Sequence, residues 1–194
     1  MELGDFPFPD TRAGDLAREV VTQYSAPALV NHCLRSYLFA ASLAAIDGFD
    51  VDHELLYVSS LLHDLGLEPA FDNVIAPFEE AGGHVGWVFA AGAGWPASRR
   101  DRVAQIIVAH MRDPEVGDDP EGYLLAAATS LDISGIDPQR WPDALLHEVV
   151  ARHPRLDLGP RFTACFRDQA VRKPGSAAAA SVRRGIAARI TTNV

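Results

Sequence analysis

The chain has 194 residues, with 17 Lys and Arg against 26 Asp and Glu, a formal net charge of −9. That balance disfavours nucleic acid and anionic lipid, whose phosphates are bound chiefly by clustered Lys and Arg, and argues for a small-molecule or protein partner; a small-molecule substrate is expected, with a homo-oligomer as a further option. One domain suits this length, the 48% of apolar residues is ample for a single core, and Cys33 and Cys165 make neither a disulfide framework nor a paired thiolate zinc site. The opening MELGDFPFPD lacks the basic region and apolar core of a secretion signal. No run approaches the roughly 18 consecutive apolar residues of a membrane span. The expected location is the cytoplasm, with no membrane partner.

Apolar residues recur at intervals of three and four almost throughout, which predicts an all-α, single-domain bundle. Residues 1–24 read as an extension and a first helix at 13–24. Helices at 27–46, 52–65, 79–93, 97–111, 119–134 and 142–153 then form a core over 25–155. Pro27, Pro96 and Pro142 suit first helical turns, and Gly48 and Gly66 suit left-handed caps. The segment Leu55, Leu56, Val58, Leu61, Leu62 and Leu65 is apolar round most of its circumference, as a buried central helix requires. Loops at 66–78 and 112–118 follow helix ends that carry histidine and are expected to border a pocket. Residues 156–194 hold helices at 160–172 and 176–190. After Asp168 there is no acidic residue, while Arg172, Lys173, Arg183, Arg184 and Arg189 follow. This basic tail reads as a solvated final helix; the alternative is docking on the acidic body, on another subunit or over a substrate.

His63 and Asp64 follow Leu61 and Leu62 on the central helix, where an ionised carboxylate needs a compensating charge. A divalent cation would supply it. Adjacent helical residues point about 100° apart, so both could grip one ion only beside a helix end. His32, His84, His110 and Asp132 also fall on apolar stripes: His110 is four residues after Ile106, Asp132 four after Ala128, and His84 four before Val88. Four histidines and two aspartates on inward faces of five helices form the imidazole and carboxylate set suited to zinc, iron or manganese. His53, His147 and His153 read as surface residues.

The order His32, His63-Asp64, Asp132, with the dipeptide in LLHDLG, resembles the HD-domain superfamily of metal-dependent hydrolases over residues 25–155. The resemblance implies an HD-type helical bundle in which His32, His63, Asp64 and Asp132 hold one metal. His84 and His110 match the positions that recruit a second. A closer resemblance, to the cyanamide-hydratase-like subgroup, rests on NHCLRSYLFA at 31–40, LLHDLGL at 61–67, FEEAGGH at 78–84, IIVAH at 106–110 and SLDISG at 130–135. It implies zinc, with Asn31 and His84 facing a nitrile-type substrate. The subgroup often has His-Thr where this chain has His110-Met111, and a basic residue where it has Pro77.

The cofactor expected is therefore a divalent ion, zinc first, with iron or manganese as alternatives and one or two ions per chain. Such an ion lowers the pKa of bound water toward neutrality and makes a nucleophile available. Asp64 would bind metal and orient the water, His84 or His110 would donate a proton or stabilise charge, and Asn31 would donate to the substrate. Arg35 and Glu79 are candidates for support around the ligands, with a surface ion pair and a helix cap as their plainer readings. Three activities compete: a hydratase or small-molecule hydrolase, a nucleotide phosphohydrolase, and a di-iron oxygenase. Leu67 stands where phosphohydrolases of the superfamily often carry Lys. A module with a purely structural metal is disfavoured, since structural zinc sites are usually closed and often rich in thiolates.

Overall fold

The computed structural model describes residues 2–113 and 119–192. Among them there are helices and no strands: α1 Arg12–Tyr24, α2 Pro27–Asp47, α3 His53–Leu62, α4 Phe78–Gly92, α5 Ala97–Ala109, α6 Pro120–Ser134, α7 Asp143–Arg152, α8 Leu158–Arg172, α9 Ala177–Arg183 and α10 Ile186–Thr192. The all-α reading holds. Side chains start several of these helices: Thr11 accepts from the Gly14 amide, Asp52 from Leu55, Asp119 from Gly122 and Ser176 from Ala179. Each satisfies an N–H that the helix itself leaves without a partner.

α2 starts with Pro27 and ends at Gly48 in the left-handed conformation. Its 21 residues would suffice by length and hydropathy to cross a membrane, but most of them are buried among the other helices. It packs on α3 and α6, so two central helices, α2 and α3, run through the core. Leu38, Leu43, Leu56, Leu61 and Leu124 of these helices are at most 2% exposed. At roughly 1.5–3 kcal/mol for each such side chain, their burial is what holds the bundle together.

The turn that carries His63 and Asp64 is held by a close approach between backbones. α3 ends at Leu62, and a 3-10 turn over Leu65–Leu67 follows, instead of a helix continuing to 65. A Cβ on Gly66 would stand 2.0 Å from the carbonyl oxygen of Phe78, and one on Gly82 would stand 2.9 Å from that of His63. Gly66 is therefore small to admit α4, and its backbone is not left-handed as a cap would require. Gly83 and Gly86 do the same on α4 for Ala104, Val103 and Ile107 of α5. The glycine-lined face of α4 thus draws the His63-Asp64 turn and α5 together. Gly66→Ala should cost at least about 3 kcal/mol, since backbone cannot yield as a side chain does. That is a fall in melting temperature of about 6–12 °C, measurable by circular dichroism.

Two loop expectations change. The 66–78 loop does not border the main cavity; Asp72 ties it to the end of α8, accepting from Gln169, Arg172 and Lys173. Of the 112–118 loop, Arg112 and Asp113 do line the cavity, and 114–118 lie outside the described residues. The expected final helix at 176–190 is two helices, broken at Gly185, whose φ of 79° a side chain rarely adopts. The tail is also docked: Lys173 is buried against Asp72 and Gln169, and the two short helices lie on α6 and α8.

Candidate metal centre

α2 brings His32, the end of α3 brings His63 and Asp64, and the end of α5 brings His110 to the floor of one cavity of about 150 Å³. All four side chains are buried. His32 Nε2 lies 3.2 Å from His63 Nε2 and 3.4 Å from Asp64 Oδ2, and His63 Nε2 lies 3.2 Å from that same oxygen. His110 Nε2 faces the other Asp64 oxygen, Oδ1, at 3.7 Å.

The outer nitrogen of each ring is already committed. His32 Nδ1 meets Asp132 Oδ2 at 2.6 Å, His63 Nδ1 meets the Ser60 carbonyl at 2.8 Å, and His110 Nδ1 meets the Ile107 carbonyl. Carbonyl and carboxylate oxygens only accept, so each Nδ1 carries a proton, and a ring in its neutral form turns the lone pair of Nε2 into the site. Facing lone pairs 3.2 Å apart repel unless a positive charge stands with them. Asp64 adds a negative charge, and neither of its buried oxygens has a hydrogen-bond partner. A proton or a metal ion is what such a group calls for.

A metal ion fits the spacing. Donors at about 2.0–2.1 Å from a tetrahedral ion stand about 3.3 Å from one another. The His32, His63 and Asp64 donors, at 3.2, 3.4 and 3.2 Å, match one face of that figure. Two neutral imidazoles and a carboxylate also make a donor set suited to a divalent ion, and HD domains bind divalent metals.

The charges respond as the geometry requires. Burial works to raise the Asp64 pKa, but the charge of His63 and its contacts with both imidazoles hold it well below the usual carboxylate range. Burial works to lower that of His32, yet the hydrogen bonds to Asp132 and Asp64 outweigh it and hold it raised. His110 is pushed down to about 3 by burial and by the neighbouring charge of His63.

Asp132 does not stand with the other three donors. It lies behind His32, on the Nδ1 side, where Arg35 Nε and Nη2 reach its two oxygens at 2.8 and 2.7 Å and Arg155 approaches at 3.2 Å. Arg35 follows His32 by one helical turn, which is why the same carboxylate meets both. The plainer reading of Arg35, a surface ion pair, does not hold, since both partners are completely buried.

His84 is exposed and lines a separate depression with Gln105 and Arg112. Val88, the residue that marked its stripe as inward, is 66% exposed. Beyond its first turn the packing face of α4 is made of glycine and alanine, which leave little apolar signal. Asn31 does not line the cavity either; its amide donates to the Pro154 carbonyl at 2.8 Å. Glu79 is buried in the first turn of α4, away from the cavity lining, and burial raises its pKa.

Sequence reasoning missed the walls. Phe162 lies edge-on to His32, with ring centroids 5.8 Å apart, and stacks on Phe166. Their four-residue spacing was the available signal. Thr129, Ser130 and Ser134 contribute hydroxyls from α6. Arg155 gave no periodic signal, and His153, read as a surface residue, is half-buried behind Arg35 and accepts from it through its carbonyl.

A helical bundle that aims three anchored imidazoles and a buried carboxylate at one point defines a class of metal-binding domain. The HD domain family matches residues 29–134, more than half of the chain, and the chain belongs to that family. Two relatives place it further: cyanamide hydratase DDI2 and cyanamide hydratase DDI3 of Saccharomyces cerevisiae (strain ATCC 204508 / S288c). Each is 26% identical over 174 residues, which cover 87% of this chain and 77% of the relative. The resemblance to the cyanamide-hydratase-like subgroup is borne out, and family and relatives together support a metal-dependent HD hydrolase.

Proposed function

We propose that this protein is a cytoplasmic, metal-dependent hydratase or hydrolase that adds water to a small substrate, first of all one of nitrile type such as cyanamide. The observation that carries this reading is the convergence of the His32, His63 and His110 Nε2 atoms on the unpaired Asp64 carboxylate at the floor of a cavity. The relatives' name supplies the substrate class.

In this reading His32, His63 and Asp64 hold one divalent ion, zinc first, and Asp132 orients His32 through Nδ1. When bound, the ion supplies Lewis acidity and brings the pKa of water toward neutrality. Asp64 Oδ1, turned toward His110, accepts the proton of the attacking water. His110 is uncharged at neutral pH, so its Nε2 accepts a hydrogen bond and cannot serve as the acid. Phe162, Phe166 and Ile133 shield the site, and the α6 hydroxyls give a polar substrate contacts. Water adds across the carbon–nitrogen triple bond, oxygen bonding to carbon and two protons ending on nitrogen, to give an amide; cyanamide gives urea.

A cavity of about 150 Å³ is well under the roughly 300–1,000 Å³ of ordinary ligand pockets, which counts against a nucleotide. The outward position of His84 counts against a second ion and hence against di-iron chemistry. Protein purified without added metal should contain about one zinc per chain and convert cyanamide to urea. Chelation should lower its melting temperature, since an ion bound only to the folded state stabilises by about 4 kcal/mol at a thousandfold excess over Kd. Two irons per chain with oxygen uptake, or release of phosphate from nucleoside monophosphates without action on cyanamide, would overturn the reading.

A further inference from the structure

Part of the cavity wall comes from residues beyond the 29–134 match. Phe162 and Phe166 of α8, Ser181 of α9, Arg184 after it, and Ile186 and Arg189 of α10 all line it. α10 packs on α6 and on α8, so it closes the space between the hydroxyl-bearing wall and the aromatic one. In one continuous helix, residues 184 and 186 would point about 200° apart and could not face the same cavity. The break at Gly185 lets both do so.

The mouth so formed is basic. Arg184 and Arg189 from the tail meet Arg112 from the end of α5, with Asp113 as the carboxylate beside them. Among the described residues neither Arg112 nor Arg184 is held in an ion pair, whereas Arg99, Arg102 and Arg140 each are. Arg184 reaches a neutral partner, Ser181 Oγ, at 3.5 Å. In a chain of net charge −9, two guanidinium groups without an ion pair, Arg112 and Arg184, thus stand at the mouth of the cavity. A guanidinium cannot lose its charge and offers a fork of donors matched to carboxylate or phosphate oxygens. The field at such a mouth also draws anions in.

We infer that Arg112 and Arg184 determine specificity by binding an anionic group at the outer end of the substrate, while its reacting carbon faces Asp64. The inference rests on the proposed water addition for the inner end of the substrate; the anion contact stands on the arginines alone. At about 150 Å³ the cavity is small, so the anionic and reacting groups of its substrate stand close together. The substrate class is a small carboxylate, or a phosphate-bearing molecule, with an electrophilic carbon close by.

The test is calorimetric binding to zinc-loaded protein of cyanoacetate and of cyanoacetamide, which have the same shape and differ in charge, and of inorganic phosphate. Wild-type protein should bind cyanoacetate or phosphate at least about 10-fold more tightly than cyanoacetamide, the range of a hydrogen bond to a charged group. Arg184→Gln, and separately Arg112→Gln, should bring that ratio down by about 10-fold with zinc content unchanged. Whichever anion loses affinity identifies carboxylate or phosphate as the group read. Arg183→Gln removes the same charge from a neighbour that does not line the cavity and should leave the ratio as it was. A ratio near one in the wild type, or equal loss in Arg183→Gln, would overturn the inference. Turnover of nitriles is scored separately, so failure of the hydration reading leaves the binding ratios intact and is seen as itself.

Discussion

Asp64→Asn protein should fold, yet purify with less than about a hundredth of the metal affinity of the wild type and no water-adding activity. The substitution keeps the shape of the side chain and removes only the negative charge. Asp64 alone faces His32 and His63 with one oxygen and His110 with the other, so its charge is what binds the donor set into one site. Without it, two neutral rings remain, which hold a divalent ion far more weakly. The metal-free variant should melt below the metal-free wild type, because the attraction of His63 and His32 for the Asp64 carboxylate outweighs the cost of its burial. Elemental analysis and a melting curve with and without zinc decide it. Undiminished metal in the folded variant would place the site elsewhere.

The parts legible in the sequence were those that leave a periodic signal. The helices of the core were readable because aliphatic side chains recur on one face, and His32, His63 and His110 stood out as polar residues on those faces. Where packing is done by the absence of a side chain, the signal inverts. On α4 the buried residues after Phe78 and Glu79 are small, Ala81, Gly82, Gly83, Gly86 and Ala90, so Val88 drew the apolar stripe to the wrong side and carried His84 with it. Gly66 looked like a cap for the same reason: a small residue after a helix serves a left-handed turn or a close approach, and only the position of Phe78 distinguishes them.

Long-range charge pairing was the other illegible part. Arg35 and Asp132 are 97 positions apart, and nothing in either neighbourhood says that they meet. Asp132 was marked as buried and in need of a positive partner, but whether that partner was metal or guanidinium depends on which side of His32 the sixth helix presents it. The tail shows the same limit. Its sequence shows that it is basic; its docking depends on α10 finding the gap between α6 and α8.

Arg35→Met should be the most destabilising single change among the residues around the site. Met keeps much of the volume and stem of Arg but takes away from the completely buried Asp132 the guanidinium that meets both of its oxygens. Breaking a buried pair from one side costs about 3–5 kcal/mol, which for a chain of this size is a fall of about 6–20 °C in melting temperature. Replacing both partners, as Arg35→Met with Asp132→Leu, should recover part of the loss, because no uncompensated charge then remains. The acid side supplies an independent check. Burial opposes ionisation of Asp132, yet Arg35 and His32 hold its carboxyl well below the usual range. A carboxyl so depressed in the folded state gives stability that is complete above its ordinary value near 4, and that is lost as pH falls through the folded value. The difference in stability between wild type and Arg35→Met should therefore be widest at neutral pH and shrink on acidification below about 4. A gap that stayed constant down to pH 2 would mean that Arg35 acts by packing and not by charge. Zinc affinity should fall by about 10- to 100-fold in the same variant, since a carboxylate released from Arg35 no longer fixes the His32 ring.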